Sequence, residues 1–124
     1  MTKGYADSVE SPSPRHLTAF VRSIAILALQ AETQLAWLSR FDGRSPTVDE
    51  LALEFDDGFG LVPTFIERGW LSNAAVSVLT QLSSQLDSMS GDHNAHLWCA
   101  DALSGRLEWD RIRASARAAL MLLD

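Results

Sequence analysis

Between Leu17 and Leu38, apolar side chains recur at helical spacing on two nearly opposite sides of one segment, which constrains the fold more than any other feature of the chain. Leu17, Phe20, Val21, Ile24, Leu27, Ala28, Ala31, Leu35 and Leu38 form the main stripe, and Ile26 and Trp37 form the second. A helix that is apolar on two sides is flanked by neighbours on both. Pro12 and Pro14 stand just ahead of the segment, where proline is tolerated. The periodicity therefore predicts one long helix from about Arg15 to Arg40. FDGRSP, Phe41 to Pro46, reads as the turn that ends it, with Gly43 as the stop.

The rest of the chain repeats the helical period in shorter pieces. TVDELALEFDDGF, Thr47 to Phe59, is a short helix with Thr47 and Glu50 as a capping box. Gly58, Gly60 and Pro63 then interrupt the pattern, giving either a kinked helix or two short ones, the second ending near Gly69. Ser72 is placed to cap a helix over Asn73 to Met89, with Val76, Leu79, Leu82 and Leu86 inward. Ser90 to Asn94 is a loop, and Asn94 can cap a brief helix through Leu97, Trp98 and Leu103 that ends at Gly105. The last helix carries Trp109, Ile112, Ala116, Ala119, Leu120 and Leu123 on one side. Beside that stripe, Arg106, Arg113 and Arg117 read as a solvated face or as partners for the protein's own acids. No stretch alternates as a strand would, so the expected class is all-α: an irregular bundle of five to six helices around a long first helix. Residues 1–14 are expected to form a flexible N-terminal arm and residues 15–124 a single helical domain, the usual size for one core.

Composition narrows the partners. At 47% hydrophobic and 21% charged residues the chain is a folded domain, and its net charge of −6 disfavours nucleic acid or an anionic membrane as ligand. A cationic partner fits instead. The apolar run Ile24 to Leu29 is far short of the ~20 residues of a membrane span. Cys99 is alone, so an intrachain disulfide is excluded and a reducing cytoplasm is the expected compartment.

Catalytic motifs are missing: there is no phosphate loop, nucleophile elbow, His-Glu-x-x-His or calcium loop, and no cofactor is expected. The best candidate for a metal or catalytic site is Asp92, His93 and His96, whose imidazoles at i and i+3 could share a ligand on a helix. The plainer alternative is a polar loop entering a helix. Cys99 with one of these histidines could form a nucleophile pair, but it reads more simply as a small buried residue beside Trp98.

The stretch of sharpest charge contrast is Thr47 to Phe59. Val48, Leu51, Ala52, Phe55 and Phe59 collect on one side, and Glu50, Glu54 and Asp57 form a row on the other. Asp49, Asp56 and Leu53 lie between them, so Leu53 is an apolar residue among carboxylates. Six of the sixteen acidic residues, Asp42, Asp49, Glu50, Glu54, Asp56 and Asp57, fall within residues 42–57 beside a single base, Arg44. Such a row can be a plain solvated face. With an exposed Leu53 it is what an interface to a basic surface would use, acids for steering and an apolar side chain for dry contact.

ELALEFDDGF, IERGWLS, MSGDHNAHLWCADAL and WDRIRASARAALMLL, in that order, resemble the small all-helical immunity proteins of bacterial contact-dependent growth inhibition and related polymorphic toxin systems. The resemblance runs from about Leu17 onward and implies a role, with no residue-by-residue assignment. It implies a cytoplasmic, non-enzymatic protein, expected as a monomer, that binds a cognate toxin domain with a basic surface, commonly a nuclease, and neutralises it. Combined with the acidic helix, the expected partner-binding residues are Asp49, Glu50, Leu53, Glu54, Asp56 and Asp57. A metal-dependent enzyme using Asp92, His93 and His96, and a regulatory adaptor for another protein, stand as alternatives.

Overall fold

Ser13 starts the first helix: its backbone N–H donates to His16 Nδ1 at 2.9 Å, and Pro14 occupies the first turn, where its missing N–H costs nothing. The computed structural model describes residues 13–40 and 48–123. The expected arm as far as residue 12, the turn at Gly43 and the Thr47 half of the capping box lie outside those residues. Among the described residues the fold is all-helical. α1 spans Pro14–Leu27, α2 Ala31–Leu38, α3 Asp49–Phe59, α4 Val62–Glu67 and α5 Asn73–Ser88. A 3₁₀ segment, Asp92–Leu97, leads into α6, Ala100–Gly105, and α7, Leu107–Met121.

The long first helix is corrected: its segment is two helices. Gln30 is extended (φ −69°, ψ 156°), and the chain turns between Ala28 and Ala31 with neither Gly nor Pro to force it. The cause is tertiary. Breaking a helix leaves its last carbonyls without donors, and here side chains from elsewhere supply them. Gln34 Nε2 donates to the Ile26 and Leu27 carbonyls at 3.0 and 3.1 Å, and Arg117 Nε donates to the Ala28 carbonyl at 3.0 Å. The Arg117 cation also suits the negative end of the α1 dipole.

Arg113 completes this junction from within the core. It is buried, and its guanidinium donates to Gln34 Oε1 at 3.3 Å, to Asp110 Oδ1 at 3.0 Å and to the Leu103 carbonyl. Burial pulls its pKa below the usual arginine value, Asp110 opposes that, and Arg117 adds to it. Arg113 is thus not on a solvated face. The alternative, pairing with the protein's own acids, holds for Arg113 with Asp110 and for Arg106 with Glu108, and carbonyl oxygens complete the Arg113 shell.

α1 is nevertheless the centre of the bundle, with α3 on one side and α7 on the other, and α5 closes against both of these. Phe20, Ile24 and Leu27 of α1 meet Leu51 and Phe55 of α3, Leu79, Leu82 and Leu86 of α5, and Trp109, Ile112 and Ala116 of α7 in one core. The Phe20 ring packs tilted against Phe55 and Phe65 at centroid distances of 5.4 and 6.0 Å. Gly58 has a packing reason: it lies inside α3, and a Cβ there would run into the Phe20 ring. The break expected near Gly60 and Pro63 is real and yields two helices, with Pro63 in the first turn of α4. Ser72 caps α5, its Oγ accepting from the Ala75 N–H at 3.3 Å. No helix among the described residues is long and apolar enough to cross a membrane.

Candidate functional site

α3 buries Val48, Leu51 and Phe55 and turns its carboxylates outward, as its pattern predicts. Leu53 is 52% exposed, between Glu54 and, one turn away on either side, Asp49 and Asp56. Glu54, Asp56, Asp57 and Asp49 are exposed and Glu50 is half-buried. Among the described residues the ion pairs are Arg106–Glu108 and Arg113–Asp110, so the acids of α3 have no basic partner there.

The carboxylates divide into two sets. Asp49, Ala52, Leu53 and Asp56, at i, i+3, i+4 and i+7, form a ridge along α3. They line one wall of an open groove of about 490 Å³, whose other wall is Ser90, Gly91, Asp92, Ala95 and Trp98. Glu50, Glu54 and Asp57 lie outside it. The second wall also has a regular basis, since a 3₁₀ turn of three residues aligns Asp92 with Ala95. A third acid, Asp92, thus faces the two from α3.

That second wall is tied down at several points. Gly91 has φ of 102°, a left-handed conformation that side chains other than glycine's rarely adopt, and it turns the chain out of α5. Asn94 Nδ2 donates to the carbonyls of Ser88 and Ser90 at 3.1 and 3.0 Å, so Asn94 closes the end of α5 where it was expected to open a new helix. Trp98 Nε1 donates to the Met89 carbonyl at 2.7 Å, and its ring meets Trp109 edge-on at 5.2 Å. Trp109 Nε1 in turn donates to the Leu97 carbonyl at 2.7 Å.

Asp56 is the groove acid with a displaced pKa. Partial burial, then the charges of Asp87 and Asp57, hold its carboxyl above the usual aspartate range. Asp87, near the end of α5, therefore extends the negative surface beyond α3 and the 3₁₀ segment.

The Asp92, His93 and His96 set does not gather. Asp92 lines the groove, while the exposed His93 ring approaches Asn94 Nδ2 at 3.3 Å and His96 is exposed apart from it. Among the described residues no group of three or more His, Cys, Asp or Glu side chains is close enough to hold a metal ion. Cys99 is exposed, correcting its reading as a buried residue; it occupies the N-cap position of α6 and its thiol reaches the His96 carbonyl at 3.5 Å. Asp92 and Trp98 are the site residues that sequence reasoning placed elsewhere, one with the histidines and one on the brief helix ending at Gly105. Their spacing offered no signal that the 3₁₀ segment faces α3. The chain matches no family model, and neither curated proteins nor solved structures give a match.

Proposed function

We propose that this chain is a non-enzymatic immunity protein of the cytoplasm that neutralises a cognate bacterial toxin domain, in keeping with a nuclease, by docking the acidic side of α3 on the toxin's basic surface. The observation that carries the reading is Leu53, half-exposed among Asp49, Glu54 and Asp56. A lone exposed leucine is ordinary on a solvated face, but one ringed by carboxylates also suits an interface. An interface gains a dry contact at its centre and keeps the surrounding charges for encounter and orientation. A nuclease cleft is basic, so the same charges compete with its substrate and should speed association most at low salt. The resemblance of the ordered motifs to immunity proteins supports the choice of a toxin over some other basic partner, for which the same surface would make the protein an adaptor.

The test is a toxin gene beside this one and protection against its C-terminal domain. Charge reversal of Glu50, Glu54 and Asp57 together should slow association with that domain and weaken protection. Unchanged binding and protection by the triple lysine variant would remove the acidic face from the interface.

A further inference from the structure

We infer that the groove between α3 and the 3₁₀ segment receives a helical segment of a protein partner that presents cation, apolar residue and cation at i, i+4 and i+7. This rests on the reading of the acidic side of α3 as a protein-binding surface and names what that surface takes. The outer acids, Glu50, Glu54 and Asp57, then steer, while the groove selects.

The register follows from the ridge. Asp49 and Asp56 are seven residues apart, about 10 Å along the helix axis at 1.5 Å per residue, and Leu53 lies between them. A partner helix laid along the ridge repeats the same rise, so cations two turns apart meet the two carboxylates while an apolar residue between them meets Leu53. Ala52 and Ala95 contribute only small side chains to the lining, and Trp98 adds an aromatic surface. Asp92, from the opposite wall, faces the same cations.

Other occupants fit less well. Nucleic acid and anionic headgroups are repelled by Asp49, Asp56 and Asp92. A metal ion lacks a ligand set, because the described carboxylates and histidines do not converge. A small molecule is favoured by enclosure that buries most of its surface, and this groove is open to solvent. A cationic amphipathic helix answers the carboxylates and the exposed leucine together, and the second wall, already hydrogen-bonded to the end of α5, needs no rearrangement to receive it.

The probe is a synthetic Ala-rich peptide, long enough to be helical in isolation (about 15 residues), with Lys, Leu and Lys at i, i+4 and i+7. One control replaces the Leu by Ser, and another moves one Lys to the opposite face at constant charge. In ¹⁵N-resolved titrations the full chain should shift Gly91, Ala95 and the Trp98 indole N–H. The Ser control should bind roughly tenfold more weakly, as loss of a partly buried leucine implies, and the displaced-Lys control should also be weaker. Leu53→Ser and Ala95→Arg, both at exposed positions, should reduce binding with the fold unchanged by circular dichroism.

Equal binding of all three peptides, shifts confined to Glu50, Glu54 and Asp57, indifference to Leu53→Ser and Ala95→Arg, or absence of binding would each overturn the proposal. The two levels separate cleanly. A protein that takes the peptide in the groove yet protects against no toxin refutes the immunity role alone; one that protects fully with Leu53→Ser and Ala95→Arg together refutes the groove and the Leu53 contact and leaves the immunity role standing.

Discussion

Arg113 and Asp56 carry opposite charges in the same small bundle, and the fold treats them in opposite ways. Arg113 is drawn into the core and surrounded by acceptors from α2, α6 and α7, chiefly carbonyl oxygens. Asp56 is left at the rim of a groove, where partial burial first, and the charges of Asp87 and Asp57 after it, raise its pKa. A buried charge with satisfied donors is a structural device, since removing it strands its partners. The rim acids have no ion-pair partner among the described residues, and the like charges near Asp56 weigh slightly against the fold. The junction is therefore part of what holds the fold together, whereas the rim of the groove is not.

That contrast can be broken most forcefully at the junction. Arg113→Ala should cost about 3 kcal/mol in urea denaturation, because Gln34 Oε1 and the Leu103 carbonyl lose their donor in the interior. A loss of only a few tenths would mean that the α1–α2 break does not depend on it. Gly58→Ala tests the inner side of α3 and should cost about 2 kcal/mol as the new methyl displaces the Phe20 ring. The groove should behave differently: Leu53→Ser is expected to leave stability within about 0.5 kcal/mol of the parent while weakening partner binding. An appreciable stability loss there would move Leu53 from interface to structure.

The smallest effect carries a sign. Asp56 holds its proton to higher pH in the folded chain than in the unfolded one, where 3.8 is the ordinary value. Protonation therefore favours the fold. The contribution is fully present below pH 3.8 and is lost as pH rises through the raised folded value, so the ionised form opposes folding at neutral pH. Asp56→Asn should raise the thermal midpoint slightly at neutral pH and leave it unchanged below the ordinary carboxylate range. A destabilised Asn variant at neutral pH would show that Asp56 has a favourable partner in the free protein.

The inward stripes were legible because burial imposes the 3.6-residue period directly on the sequence. Leu51 and Phe55, Leu79, Leu82 and Leu86, and Trp109, Ile112 and Ala116 all face the core as their spacing predicts. The break after Ala28 was not, because its determinants, Gln34 and Arg117, act across space and the segment contains no breaker of its own. Arg113 was misread for a related reason: a cation beside an apolar stripe usually reaches water, and only the positions of Gln34 and the Leu103 carbonyl make its burial tolerable. At the candidate site the α3 half was legible down to the odd position of Leu53. The facing wall was hidden, since the same three-residue spacing of Asp92 and Ala95 serves equally for a loop, and Trp98 carries no mark that distinguishes a groove wall from a core residue.

The indole of Trp98 joins this surface to the deepest part of the protein. One side borders the groove, its N–H grips the end of α5, and its ring lies edge-on to Trp109, whose own N–H fastens the residue preceding Trp98. The groove's second wall and the core are thus joined by direct hydrogen bonds and a ring contact. A substitution beneath Trp109 that loosens the interior should therefore shift the Trp98 indole and the groove wall it forms.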